Sequence, residues 1–156
     1  MSSRSAEAEA LRIGYFLGII PVEDLVLWAD EQVMQASNPG TELLELSTCA
    51  KRTSAEITEC LRALAGGCDR ILAARIVLRR VRQMLIADPA RGEELADLLQ
   101  LMWWQGLLPS REFGHGPGYL EIYFLPMEDS GIDCSPEQAR AILDAFLAKH
   151  EAPRGT

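Results

Sequence analysis

The sequence predicts a mainly α protein, organised as a single-domain antiparallel helical bundle over residues 1–156. We expect about six or seven helices and one short β-hairpin or strand near residues 111–125. Apolar residues recur at helical spacing through most of the chain. Residues that begin and end helices stand at the segment boundaries, and the one stretch with strict alternation is short. With 156 residues and 48% hydrophobic content, the chain has the size of about one domain with its own core.

Four helical segments are predicted in the first half of the chain. The first covers about residues 4–18, and the second begins at Pro21, which suits the first turn of a helix. Residues 41–49 fit both helical and strand spacing, and we favour a helix there. The fourth segment begins with a capping box, in which Thr53 and Glu56 satisfy exposed backbone N–H groups at the start of the helix.

The helix predicted over residues 69–87 is apolar on most of its circumference, which is typical of a helix at the centre of its domain. Its main polar stripe consists of Arg75, Arg79 and Arg82. Arginines at this spacing can bind phosphate. The net charge of −8 instead favours ion pairs with neighbouring Glu and Asp residues, or a solvated face.

Two further helices are predicted in the second half of the chain. One begins at residues 88–89 and ends near Gly106. Its Trp103 and Trp104 adjoin, so both cannot face the same core. The other begins with a second capping-box pattern over residues 135–138, which makes it the most clearly marked helix of the sequence.

Between these helices, alternation of apolar and polar residues predicts a strand over residues 119–125. A lone strand cannot satisfy its own backbone groups. It therefore pairs either with residues 111–113 across a turn rich in Gly and Pro, or with a second chain through its free edge. The second arrangement would give a homodimer through the edge of residues 119–125.

Charge and composition restrict the classes of partner. A net charge of −8 and a pI of about 4.8 repel a phosphate backbone, so we expect no nucleic-acid partner. No segment approaches the roughly 18 apolar residues of a membrane span, and the charges near the N-terminus do not suit a secretory signal. We expect a cytoplasmic location and no membrane partner.

The cysteines lack paired spacing and are expected to be reduced and mostly buried: Cys49, Cys60, Cys68 and Cys134.

Each candidate reactive group also has a structural explanation. His115 can act as a general base, but its glycine and proline neighbours supply no carboxylate to orient it. Cys134 precedes a helix, where the dipole lowers a thiol pKa, yet His150 lies about 24 Å away along the same helix and is excluded as its base. The acidic loop over residues 128–133 lacks the ligand spacing of a calcium site. We expect no catalytic residue, no bound metal and no cofactor.

Residues 28–30 carry the tripeptide Trp-Ala-Asp on a predicted helix, which leads through a turn containing Pro to a Leu-rich segment at residues 43–47. In this pattern, residues 17–47 resemble small helical bacterial proteins, some of which are immunity proteins of polymorphic toxin systems. Residues 135–150 are compatible with the C-terminal helix of such proteins. The resemblance implies a binding protein that covers and neutralises a toxin.

We therefore expect a non-enzymatic protein-binding module of the immunity type, whose acidic surface suits a basic protein partner. The contact is predicted at the outer face of the strand and in the acidic loop, namely at Tyr119, Glu121, Tyr123, Glu128, Asp129 and Asp133. One alternative is a small enzyme with a site around His115 and scattered acids. Another is a homo-oligomeric structural module that pairs through the strand edge.

Overall fold

The structure, a computed structural model, describes residues 3–153 of the chain. Nine α-helices lie within these residues, and no β-strand does, so the prediction of a mainly α protein is confirmed. The helices are α1 Ser3–Phe16, α2 Val22–Gln35, α3 Thr41–Ser47, α4 Ser54–Leu64, α5 Arg70–Ala87, α6 Gly92–Trp104, α7 Ser110–Phe113, α8 Met127–Ser130 and α9 Pro136–His150. Short 3₁₀ helices span Cys49–Lys51, Pro89–Arg91, Gly116–Gly118 and Leu120–Phe124.

The predicted β-hairpin or strand near residues 111–125 is wrong. Ser110–Phe113 forms one α-helical turn, and the following residues form two 3₁₀ helices. Their backbone N–H groups form hydrogen bonds with carbonyls three residues earlier. The Tyr119 N–H donates to the Gly116 carbonyl at 3.0 Å, and the Ile122 N–H donates to the Tyr119 carbonyl at 3.1 Å. Because i to i+3 bonds satisfy the backbone, these residues need no partner strand. The proposed homodimer through a strand edge at residues 119–125 therefore loses its structural basis.

The number of helices also exceeds the six or seven that the sequence predicts. The additional helices include α7 and α8, each one turn long, which lie where the sequence predicts a hairpin and a loop. The preference for a helix over residues 41–49 is confirmed, because α3 is followed directly by the 3₁₀ helix Cys49–Lys51. Turns of this length are too short to show a hydrophobic period, so the sequence pattern does not predict them.

The chain divides into two compact units, and the boundary between them lies within α5. The first unit extends up to Ala73, and the second begins at Ala74. In the first unit α2 packs against α3, α1 packs against α4, and α3 packs against α4. Their shared core consists of Leu25, Ala29, Leu43, Leu46, Cys49, Ile57, Cys60 and Leu61. The organisation as one domain over residues 1–156 stays a prediction.

In the second unit α6 packs against α9 and against both 3₁₀ helices of residues 116–124. Two glycines allow this close approach. A Cβ at Gly92 would lie 2.9 Å from the Phe124 ring, and a Cβ at Gly118 would lie 2.8 Å from the Trp103 ring. Trp103 is half-buried here, whereas Trp104 points outward and is mostly exposed, as their adjacent positions predict.

Both predicted capping boxes are confirmed. The Thr53 N–H donates to Glu56 Oε2 at 2.8 Å, and the Ser135 N–H donates to Gln138 Oε1 at 2.8 Å. Each cap hydroxyl in turn accepts from the backbone N–H three residues later. These reciprocal bonds fix where α4 and α9 begin.

The arginine stripe of α5 forms hydrogen bonds with α9 and with the residues that follow it. Arg79 donates to the carbonyls of Ala152 and Pro153 at 3.1 and 2.7 Å. Arg82 donates to Asp144 at 2.8 Å and to Glu151 at 2.9 Å, and these bonds raise its pKa. The Arg75 guanidinium lies 5.9 Å from the Phe113 ring centre. The stripe thus makes intramolecular contacts within the second unit, and Arg82 forms the ion pairs that the net charge favours.

Substitution of Gly118 tests the packing of the 3₁₀ segment on α6. Gly118→Ala forces the Trp103 ring to shift, so we expect it to lower the free energy of unfolding by about 1–3 kcal/mol. Gly116→Ala is the matched control, because its Cβ would lie 3.6 Å from Phe146, an ordinary contact distance. Urea denaturation measures both. Equal stability of the two variants would contradict this packing.

Candidate functional site

A groove of about 590 Å³ lies in the second unit, between the start of α6, the 3₁₀ helix Leu120–Phe124, α8 and the start of α9. Pro126 precedes α8, and Gly131 ends it in the left-handed conformation, at φ 65°. The Ser135 cap then sets the direction of α9. The lining residues are Pro89, Ala90, Gly92, Glu93, Tyr123, Phe124, Leu125, Pro126, Met127, Asp133, Cys134, Ser135, Pro136, Gln138 and Arg140.

A second concavity of about 410 Å³ adjoins this groove. The two share Tyr123, Asp133, Cys134 and Gln138 in their linings. Ile142 on α9 lines only the second one and is partly exposed. A ligand surface that contacts Tyr123 and Asp133 can therefore extend to either side of the segment that leads into α9.

The three residues predicted on the outer face of a strand do not share one face. A 3₁₀ helix has three residues per turn, so the alternation of positions 119, 121 and 123 is broken. Tyr119 is exposed, and Tyr123 is half-buried in the wall of the groove. Glu121 is half-buried and accepts a hydrogen bond from the side-chain amide of Gln100 on α6. Of this trio, only Tyr123 lies at the groove.

The three predicted acids of the loop are all exposed. Asp133 lines the groove together with Tyr123, so the structure brings these two predicted residues together. Glu128 and Asp129 are on α8, directly after Met127, which lines the groove and is 58% exposed. Within residues 3–153, none of the three acids forms an ion pair.

The sequence analysis missed the other polar residues of the groove. Glu93 of α6 is exposed and lines the groove together with Asp133, which is distant from it in the sequence. Arg140 is the one basic residue among the described lining, and its Nη2 lies 3.5 Å from Glu137 Oε1. The groove and the acids beside it therefore carry a surplus of negative charge. Only the acids in the loop could have been selected from sequence, because Glu93 reaches the site through the packing of α6.

The candidate nucleophile Cys134 and the candidate general base His115 form no hydrogen bond with each other. Cys134 is half-buried in the groove, and its Sγ lies 3.6 Å from the Ser135 carbonyl oxygen. His115 is exposed, and its ring centre is 6.2 Å from that of Trp103.

Burial raises the pKa of Cys49 and Cys60, which keeps these two thiols protonated. All four cysteines are free, and Cys49 and Cys60 are buried.

His150 is buried at the end of α9, which the sequence analysis did not foresee. Its ring centre lies 5.4 Å from that of Phe113 and 4.8 Å from that of Phe146. Burial lowers the pKa of His150, and the positive charges of Lys149 and Arg75 lower it further. A neutral imidazole packed between aromatic rings is a structural element of the second unit.

No group of three or more His, Cys, Asp or Glu side chains within residues 3–153 is arranged to hold a metal ion. None of the helices in the described part of the chain combines the length and apolar character that crossing a bilayer requires. Comparisons with protein-family models, with curated proteins and with solved structures give no match to this chain.

The buried imidazole predicts a pH-dependent stability. The unfolded chain titrates near the ordinary histidine pKa of about 6.5, whereas folded His150 titrates below it. Between these two values the unfolded state binds more protons, so the free energy of unfolding falls as the pH drops below about 6.5. We expect His150→Gln to lose this component, which urea denaturation from pH 7.5 down to pH 5 measures.

His115→Gln, which replaces an exposed histidine, provides the reference curve for this measurement. The stability of His150→Gln should decline less steeply than that of the reference over the same pH range. Parallel curves for the two variants would contradict the assigned role of the buried imidazole.

Proposed function

We propose that this chain is a cytoplasmic, non-enzymatic protein-binding module of the immunity type, which covers and neutralises a basic partner protein. The observation that carries the proposal is the groove of the second unit, which combines an apolar floor with an acidic rim. The rim consists of Glu93 and Asp133 in the lining, and of Glu128 and Asp129 directly after the lining residue Met127. Such a combination suits a protein surface in which cationic residues surround apolar ones.

The apolar floor provides the area that a partner would bury. Phe124, Pro126 and Pro136 line the groove, together with Leu125 and Met127, which are 43% and 58% exposed. Removing apolar surface from water contributes roughly 25 cal/mol per Å² before the costs of association are subtracted. Met127 is also a flexible side chain that adapts its shape to a partner. These side chains supply the attraction that would keep a complex from dissociating.

The acidic rim selects the charge of the partner. Glu93, Glu128, Asp129 and Asp133 are exposed, and none of them has an ion-pair partner in the described part of the chain. Unpaired charges of one sign steer an oppositely charged partner into place and raise its association rate. A basic toxin is a partner of this type, which agrees with the resemblance of residues 17–47 to immunity proteins.

A binding role has more support than a catalytic one. The enzyme hypothesis requires a carboxylate beside His115, and no side chain of residues 3–153 forms a hydrogen bond or ion pair with that histidine. Cys134 lies in the groove, but its polar contact is a backbone carbonyl, which cannot accept its proton for catalysis. The homo-oligomeric alternative has lost the strand edge on which it depended.

The test combines capture of a partner with charge reversal at the rim. The wild-type chain is used as bait in lysate of the source organism, and the retained protein is purified for binding measurements. We expect Glu128→Lys/Asp129→Lys/Asp133→Lys to weaken binding about 10-fold or more at low salt, chiefly through slower association. Surface plasmon resonance at two salt concentrations measures both rates.

A matched control reverses three exposed acids that neither line the groove nor adjoin a lining residue in the sequence, in Glu42→Lys/Asp97→Lys/Glu112→Lys. This variant has the same net charge as the rim variant, so general attraction changes equally in both. Equal affinity of the two variants for the partner would remove the groove from the proposal. For the immunity role, the partner expressed alone must arrest growth, and co-expression of this chain must restore it.

A further inference from the structure

A stripe of acidic and apolar residues runs along the outer face of α2 in the first unit. It consists of Glu23, Leu27, Asp30, Glu31 and Met34, which we call the α2 stripe. At 100° per residue, these positions fall within an arc of about 100° on the helix. From Glu23 to Met34 the stripe extends about 16 Å along the axis.

The apolar members of the α2 stripe are exposed to an unusual degree. Leu27 is 63% exposed and Met34 is 78% exposed, and they lie two helical turns apart on one face. The face of a surface helix that points away from the core is normally polar. Single exposed apolar residues need no explanation, but two of them at this spacing, between acids, have the composition of a helix-binding surface.

The acidic members are not neutralised. Helix α2 contains no Lys or Arg, and Glu23, Asp30 and Glu31 form no ion pair with any described residue. Glu23 lies in the first turn, where the helix dipole favours a negative charge. Asp30 and Glu31 lie in the C-terminal half, where the dipole gives them no such stabilisation. Neither capping nor pairing within the helix explains why these two residues are acidic.

The opposite side of α2 is held firmly within the first unit. Leu25 and Ala29 are fully buried in its core. Trp28 Nε1 donates to Glu7 of α1 at 3.0 Å, and Arg4 Nε donates to Gln32 at 2.9 Å. A stripe on a helix fixed in this way loses little further freedom on binding, which lowers the entropic cost of association.

We propose that the α2 stripe is a docking site for a cationic amphipathic helix of another protein. Apolar residues seven apart on that helix would pack on Leu27 and Met34, while flanking Lys or Arg residues would pair with Asp30 and Glu31. A second copy of this chain is disfavoured as the occupant, because it would bring the same acids against each other. The inference does not depend on the groove, which belongs to the second unit.

The test uses a defined probe and the full chain. The probe is a labelled peptide of three heptads, with Leu at positions a and d and Lys at e and g, and its counterpart carries Glu in place of Lys. We expect the Lys peptide to bind, and Asp30→Lys/Glu31→Lys to weaken that binding at least about 10-fold at low salt. Fluorescence anisotropy of the label measures the affinity, and far-UV circular dichroism checks that the variant is folded.

The matched control is Asp97→Lys/Glu112→Lys, which changes the net charge equally at exposed positions of the second unit. It should bind the Lys peptide within about twofold of the wild type, because neither position belongs to the α2 stripe. Leu27→Ala/Met34→Ala should weaken binding with no change in charge. An equal loss in the control would show general electrostatic attraction, and equal binding of the Glu peptide would show binding that does not depend on charge. Either result would overturn the inference.

The variant with the three acids of the groove rim reversed is measured with the same peptide. Retained binding by this variant supports the α2 stripe as the contact, and a loss equal to that of Asp30→Lys/Glu31→Lys overturns it. Because capture of the natural partner is a separate experiment, failure of the inference would leave the proposed function of the groove standing, and the reverse also holds.

Discussion

Local hydrogen bonding between residues 116 and 125 is the constraint on which the second unit depends. These residues cover α6, where they cannot leave backbone donors unsatisfied, and i to i+3 bonds satisfy donors without a partner strand. The resulting 3₁₀ turn places Phe124 against Gly92 and Tyr123 in the wall of the groove. The same turn directs Glu121 towards Gln100 on α6. The position of the groove, and the separation of the predicted contact residues, both follow from this local bonding.

Regular helices and their ends were predictable because their causes are local. The capping boxes at Thr53 and Ser135 need only residues three positions apart, and the long helices repeat their apolar residues often enough to define a period. Residues 119–125 are too few to define a hydrophobic period. Their alternation fits a strand, but the packing of Phe124 on Gly92, and of the preceding Gly118 on Trp103, favours the tighter turn. The error therefore arises where tertiary packing overrides a short local pattern.

The candidate site was predictable in its charge and less so in its geometry. Exposure of Glu128, Asp129 and Asp133 follows from their position in an acidic loop, whereas the contribution of Glu93 depends on how α6 packs. Similarly, the polar spacing of Arg79 and Arg82 was visible, but their acceptors lie about seventy residues further along the chain. His150 follows the same rule, because its burial depends on Phe113, which lies on α7. Residue type indicates what a side chain can do, and only the fold supplies its partner.

The excess of acidic over basic residues explains why the free surface charge is negative. The chain has 15 basic and 23 acidic residues. Several basic side chains form ion pairs within the chain, as Arg12 does with Glu9 and Arg91 with Glu94. Arg79 donates to the backbone carbonyls of Ala152 and Pro153. Acids that form no ion pair within residues 3–153, at the groove and in the α2 stripe, stay available to a partner. Because charge acts chiefly on association and buried apolar area chiefly on dissociation, acids beside exposed Leu and Met side chains favour a partner that is both cationic and apolar.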